Sequence, residues 1–216
     1  MNKKFGWMLC LLAVAICAST LPAMAGTAYD NMGSPPSYQC CSGWTVGGSS
    51  SQVGLVEDAQ LFTSLVSGNV NEIDVALGWV NGTNGATVSF WTDSGGAPGT
   101  ELFSAAVSNQ PVFGSSTSIV ASVAVSGVSI TAGQDYFVVI EGDSTTWDAW
   151  NLNDQGAVGQ LDQNSGSGWN QFPGQTLGGM SVFTGGGGTT PEPSSLLLLG
   201  TGLVGAFGAI RRKLNR

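Results

Sequence analysis

The 216-residue chain contains no histidine, which removes the proton shuttle of Ser/His/Asp and Cys/His catalysis and the usual ligand of most zinc sites. Carboxylate and thiol chemistry remain. Of the 14 acidic residues, all except Glu192 lie between Asp30 and Asp162. A glycoside hydrolase needs only two carboxylates about 5 to 9.5 Å apart. Acids this frequent make some such pair unavoidable, so chance pairing carries no weight; a two-carboxylate, carbohydrate-active hydrolase is the alternative function, with no catalytic residue assigned.

Two further acid-bearing patterns read as ordinary turns. Trp91-Thr92-Asp93-Ser94-Gly95 contains the Asp-Ser-Gly triplet of aspartic proteases, but only once and inside a Gly/Pro-rich loop, where a surface turn is the simpler reading. Asn151, Asn153, Gln155, Gly156 and Asp162 have EF-hand-like spacing, yet amides replace most carboxylates and no helical pattern flanks them. No metal ligand and no cofactor is assigned. Calcium is the one metal an acidic exported domain would favour, because a hard cation asks only for clustered oxygens.

Once an N-terminal leader is removed, Cys40 and Cys41 are the remaining thiols. Adjacent Cα atoms lie ~3.8 Å apart, below the usual disulfide range. A vicinal ring and an intermolecular bond both stay open, in a structural or crosslinking role, since redox exchange would want two intervening residues. Apart from Trp7, the tryptophans are Trp44, Trp79, Trp91, Trp147, Trp150 and Trp169, and flat aromatic faces stack on sugar rings. Alternation puts Trp79 with Ile73, Val75 and Leu77, and Trp150 with Leu152, as buried residues. Trp91 alternates with Thr87 and Ser89, Trp147 shares a face with Asn151, and Trp169 sits in a Ser/Gly segment. Trp91, Trp147 and Trp169 are therefore the candidate glycan-binding residues, with Asp148, Asn151 and Asn170 as hydrogen-bonding neighbours.

Charge narrows the partners. The 6 cations are Lys3, Lys4, Arg211, Arg212, Lys213 and Arg216, so residues 5–210 contain no positive side chain. Nucleic acid binding needs Lys or Arg to displace phosphate counterions, and nucleic acid is excluded as a partner. The acidity itself reads as self-repulsion that keeps an exported domain soluble.

The elements that must carry these residues are strands. Between residues 26 and 184, short alternating runs are punctuated by Gly, Ser, Asn and Pro, with no sustained helical period. Residues 73–79 alternate as one half-buried strand, and Asn81-Gly82-Thr83-Asn84-Gly85 invites a reversal into a strand containing Val88 and Phe90, making a hairpin. Further strands are expected at 59–63, 102–107, 119–125, 136–141, 147–152 and 180–183. Tyr136-Phe137-Val138-Val139-Ile140 is apolar on both faces, as in a central strand. The expected fold is all-β, a two-sheet, jelly-roll-like β-sandwich.

The chain ends read as transport signals. Lys3 and Lys4 precede an apolar run at 8–17 and then Ala23-Met24-Ala25, the small-any-small pattern recognised by signal peptidase. Residues 1–25 are thus a signal peptide, with Gly26 the first mature residue. After a Gly/Thr linker at 185–190 come Pro191-Glu192-Pro193, an apolar stretch at 194–210 and Arg211-Arg212-Lys213. At ~1.5 Å per residue that stretch makes a transmembrane helix of roughly 25 Å, short of a ~30 Å hydrocarbon core but able to span it with slight thinning. The basic cluster places the tail in the cytoplasm and the domain outside.

Pro191-Glu192-Pro193, the glycine-containing apolar stretch and the Arg-rich end resemble the PEP-CTERM sorting signal, over residues 191–216. The resemblance implies processing by an exosortase, a transpeptidase-like membrane protease of Gram-negative bacteria that make exopolysaccharide. The succession of a hairpin, Asp93-Ser94-Gly95-Gly96-Ala97-Pro98-Gly99, Tyr136-Phe137-Val138-Val139, Trp147-Asp148-Ala149-Trp150 and Gly156-Ala157-Val158-Gly159 is similar to the choice-of-anchor β domains, type R above all. That likeness implies an exported domain without assigned catalytic residues. The expectation is a non-enzymatic protein of the cell surface or extracellular matrix, anchored transiently in the inner membrane, with exopolysaccharide as its expected ligand.

Overall fold

The computed structural model describes residues 26–185, and every regular element among them is a β-strand. In chain order these are β1 (Gly26–Asp30), β2 (Tyr38–Gly47), β3 (Glu57–Thr63), β4 (Gly68–Val75) and β5 (Leu77–Asn81). They continue with β6 (Gly85–Asp93), β7 (Pro98–Ser108), β8 (Ala121–Ala124), β9 (Ser129–Ile130) and β10 (Asp135–Gly142). Last are β11 (Trp147–Asn153), β12 (Val158–Asn164), β13 (Trp169–Thr176) and β14 (Met180–Gly185). The signal-cleavage residues Ala23 and Ala25, the apolar stretch at 194–210, and Pro191, Glu192, Pro193, Arg211 and Arg212 lie outside the described residues.

The strands form a β-sandwich. One layer is a six-stranded antiparallel sheet in the order β13-β12-β3-β10-β6-β7. The other is two smaller sheets, β1-β14-β4-β8 with β9 also on β4, and β2-β11-β5. Residues from all three sheets share one core: Phe62, Val88, Phe90, Val138 and Ile140 from the large sheet, Ile73, Val75 and Val182 from the second, and Val46, Leu77 and Trp150 from the third. At its centre Phe62, Phe90 and Tyr136 make tilted and edge-on ring contacts at 5.4 to 6.1 Å between centroids, the geometry ring quadrupoles favour.

Two expectations are corrected here. The run at 73–79 is two strands, interrupted at Ala76. The Ala76 N–H donates to Gly179 O, and Ala76 O accepts from Asn151 N, so the chain steps from one small sheet into the other and the second layer is split. Alternation persists through the break because both halves bury the same side, which is why the step is silent in the sequence. The 81–85 turn does reverse the chain, with Gly82 at φ 76°, but no hairpin forms. β6 already has β10 and β7 on its two edges, while β5 pairs with β11. The free edge of β5 is taken by the segment after β7, where Trp79 N–H donates to Pro111 O and Phe113 N–H to Trp79 O.

Five strands, β1, β2, β9, β12 and β13, fall where no strand is expected from the sequence. β2 carries Cys40 and Cys41, which are joined to each other in a vicinal disulfide. β12 and β13 are rich in amides and Gly, and Pro173 lies in β13, an edge strand, where a missing N–H costs no ladder bond.

Trp150 is fully buried, and its indole N–H donates to Gly179 O at 3.0 Å. Gly178 lies against the ring: a Cβ there would sit 2.5 Å from the indole nitrogen. Trp150→Ala should destabilise the fold by about 3 to 5 kcal/mol. Gly178→Ala should also lower the urea midpoint, because the added methyl meets a ring with nowhere to move; equilibrium urea unfolding reads both.

Candidate functional site

The six-stranded sheet has two apolar faces. Its inner face joins the main core, while on its outer face Ala59, Phe137 and Val139 are completely buried under Leu61, Trp91 and Trp169. Strand register draws this outer face as a grid. Asn164 of β12 stands opposite both Trp169 of β13 and Glu57 of β3. In the next row Asp162 lies between Gln171 and Ala59, and Val139 is followed by Ser89 and Ser104. In the third row Leu61, Phe137, Trp91 and Glu101 follow one another across β3, β10, β6 and β7.

Local sequence fixes both tryptophans. The Trp91 indole N–H donates to Ser89 Oγ at 2.7 Å, tying the ring to its own strand two residues back. Trp169 starts β13 after a tight reversal in which Asn164 Oδ1 accepts the backbone N–H groups of Gly166 and Gly168, an Asx-type turn made easy by glycines at positive φ. The same Asn164 donates through Nδ2 to Glu57 Oε2 at 2.8 Å. Both rings are half-buried, each with one side on the sheet.

Trp147 belongs elsewhere. It opens β11 in the three-stranded sheet, opposite Gly47 and Asn81, and is not part of the Trp91–Trp169 face. Its expected polar neighbours are occupied: Asp148 is fully buried, and Asn151 is buried with Nδ2 donating to Ala76 O. Trp79, expected in the core, is half-buried and donates its indole N–H to Gly82 O. Asn170 is exposed on β13, on the opposite side from Trp169 and Gln171.

Sequence reasoning passes over the polar partners of the face. Gln160 Nε2 donates to Asp162 Oδ1 at 2.8 Å, and Gln160 and Gln171 both donate to Gly96 O. Gly96 is held by its own N–H on Asp93 Oδ1 at 2.8 Å. The Asp-Ser-Gly segment is thus a structural turn docked on the amides of β12 and β13. The signal that would have found these groups is the spacing of Gln160, Asp162 and Asn164, and of Trp169 and Gln171, each two residues apart.

Three carboxyls are buried without a cation. Asp58, on the inner face, accepts from Gln163 Nε2 at 2.8 Å, while burial pushes its pKa up to about 7. Asp148 has both oxygens without a partner; burial, helped by the Asp143 charge, raises it to about 7. Asp162 is raised to about 6, first by burial, against the Gln160 hydrogen bond and with the Asp93 charge adding. On the outer face Glu141 is raised by burial and then by the charges of Glu57 and Glu101. Among the described residues no three His, Cys, Asp or Glu side chains gather closely enough to hold a metal ion.

Residues 189–213 match the PEP-CTERM protein-sorting motif. The chain carries an exosortase sorting signal. Pro191, Glu192, Pro193, Arg211 and Arg212 all fall inside the match, and the signal implies export to the cell surface or the extracellular space. The motif covers the sorting tail and leaves the β domain outside it. No curated protein and no solved structure matches the chain.

Asp58 and Asp148 make stability depend on pH in a defined direction. Their folded pKa values lie above the ordinary 3.8, so between about pH 4 and 7 the folded state binds more protons than the unfolded one. Stability is therefore full below about pH 4 and declines as pH rises through 7. Scanning calorimetry of the exported protein should show Tm falling across that window, and Asp58→Asn and Asp148→Asn should each flatten the decline.

Proposed function

We propose that this protein is a non-enzymatic polysaccharide-binding component of the cell surface or extracellular matrix, with Trp91 and Trp169 as the sugar-stacking residues. The observation that carries the reading is the pair of half-buried indoles framing one face of the six-stranded sheet, on a chain that bears an exosortase signal. Four strand steps of ~4.8 Å put β6 and β13 about 19 Å apart across the sheet, and the two tryptophans are also two rows apart along the strands, a span covered by an oligosaccharide and not by a single ring. Ser104, Asn164 and Gln171 lie in the grid between or beside them as hydrogen-bonding groups that need no charge. This division between apolar stacking and a few orienting polar groups is common in small-ligand sites.

The rest of the reading follows the chain. Signal peptidase would release Gly26, residues 194–210 would hold the protein in the inner membrane, and exosortase would then remove the tail. The domain itself would be of the choice-of-anchor type. The hydrolase alternative has one observation in its favour, Glu141, whose pKa burial and the neighbouring charges of Glu57 and Glu101 push above the usual glutamate range. It predicts new reducing ends when polysaccharide is incubated with the protein, lost in Glu141→Gln; the binding reading predicts none.

Two measurements test the proposal. Mass spectrometry of the released protein should find no peptide from 211–216, and recovery of that peptide would refute exosortase removal. In affinity electrophoresis, Trp91→Leu and Trp169→Leu, which keep aliphatic cover over Ala59 and Phe137 while deleting the stacking face, should each weaken retention by exopolysaccharide roughly tenfold. Trp147→Leu should leave it unchanged, and retention insensitive to both face variants would end the assignment of this site.

A further inference from the structure

The ligand class can be narrowed by what the Trp91–Trp169 face lacks. Glu57, Glu101, Glu141 and Asp162 all belong to it by register or by mutual charge, and residues 5–210 supply no cation to neutralise them. Their partners are neutral donors: Asn164 on Glu57, Ser104 Oγ on Glu101 at 2.6 Å, and Gln160 on Asp162. Asp162 adds to the same negative charge from beneath the surface, out of a ligand's reach. It is completely buried beside Ala59 under the tryptophan-capped surface, and its Oδ2 has no hydrogen-bond partner.

We propose that this face takes a polysaccharide bearing free amino groups, a polymer of non-acetylated amino sugars, with the ammonium groups placed against Glu57, Glu101 and Glu141, the carboxylates of the face that reach solvent. The inference rests on the polysaccharide-binding reading and specifies its substrate class. A uronic-acid or sulfated polymer meets a like-charged surface with no Lys or Arg to hold it, and like charges brought together at an interface cost several kcal/mol. A neutral polymer stacks on the indoles but leaves the solvent-reaching acids without a counter-charge. An ammonium group supplies what is missing: charge-assisted hydrogen bonds to the carboxylates, about twice as strong as neutral ones, and attraction to the electron-rich faces of Trp91 and Trp169. The ring bodies of the same sugars still provide the apolar surface on which the indoles stack.

The test uses the exported protein and three sets of oligosaccharides of equal length: fully deacetylated chitosan, fully acetylated chitin and alginate, titrated calorimetrically at low and at 0.5 M salt. The expected result is chitosan binding at least about tenfold tighter than chitin, no alginate binding, and loss of the difference at high salt through screening. Because any polyanion attracts a polycation, the double variant Glu101→Gln/Glu141→Gln is compared with Glu72→Gln, an exposed acid on β4 in the other layer. The double variant should lose most of the preference for chitosan and the control none. Equal affinity for chitin and chitosan would overturn this inference and leave polysaccharide binding standing. Chitosan binding affected equally by the face and control variants would overturn the site, and binding to no member of the set, together with wild-type exopolysaccharide retention of the Trp→Leu variants, would overturn both readings.

Discussion

A β domain without a positive side chain must satisfy its carboxylates with amides, hydroxyls, backbone N–H groups and protons, and much of the local architecture answers to that constraint. Asp30 Oδ1 accepts from Met32 N, Gly33 N and Ser181 Oγ, which ties the end of β1 to β14. Asp135 accepts from Thr63 across β10 and β3, and Asp154 accepts from Ser37 and Gln155, which hold its pKa below the usual carboxylate range. Each such bond is worth more than a neutral one because the acceptor is charged. None has the long-range reach of an ion pair, so the acids are secured by near neighbours. The concentration of Asn and Gln in β12 and β13 follows: Gln160, Gln163 and Asn164 each serve one acid.

Where no amide reaches, the proton does the work. Asp148 has two buried oxygens and no donor, and Asp58 has one of each kind. Leaving a buried carboxylate charged and unpaired costs far more than holding it as the acid. The inner and outer faces of the large sheet thus differ in how they meet the same constraint. On the inside Asp58 withdraws from solvent altogether, whereas on the outside Asp162 alone does so and Glu57, Glu101 and Glu141 crowd a surface that two indoles keep apolar. The outer face is a second, smaller core with a solvent-facing lid of aromatic rings, and the lid and the charges occupy the same grid.

Much of this architecture was legible in the residues. The strands around Tyr136, Trp147, Met180 and Leu102 follow from alternation or from unbroken apolar runs, and the all-β class from the absence of any helical period. What escaped did so for physical reasons. β12 and β13 are built from residues with weak intrinsic strand preference, and they exist because amide–carboxylate bonds and the buried Leu161 hold them to β3. The step at Ala76 leaves the alternation intact, so only long-range bonds to Gly179 and Asn151 reveal it. Of the aromatic residues, Trp91 could be assigned to the polar side of its strand from Thr87 and Ser89 alone. That it shares a surface with Trp169, and that Trp147 does not, depends on sheet order, which periodicity does not encode.

The first and last strands are neighbours in one sheet: Gly26 pairs with Thr184, and β14 lies between β1 and β4. The final strand of the domain is therefore an interior strand of its sheet. Until it arrives, β1 has no partner in that sheet and β4 lacks one side, with Val70, Ile73 and Val75 uncovered by Val182. The chain has to supply residues up to 185 before this layer can close. The sandwich cannot close without the domain's last segment, the one next to the sorting tail.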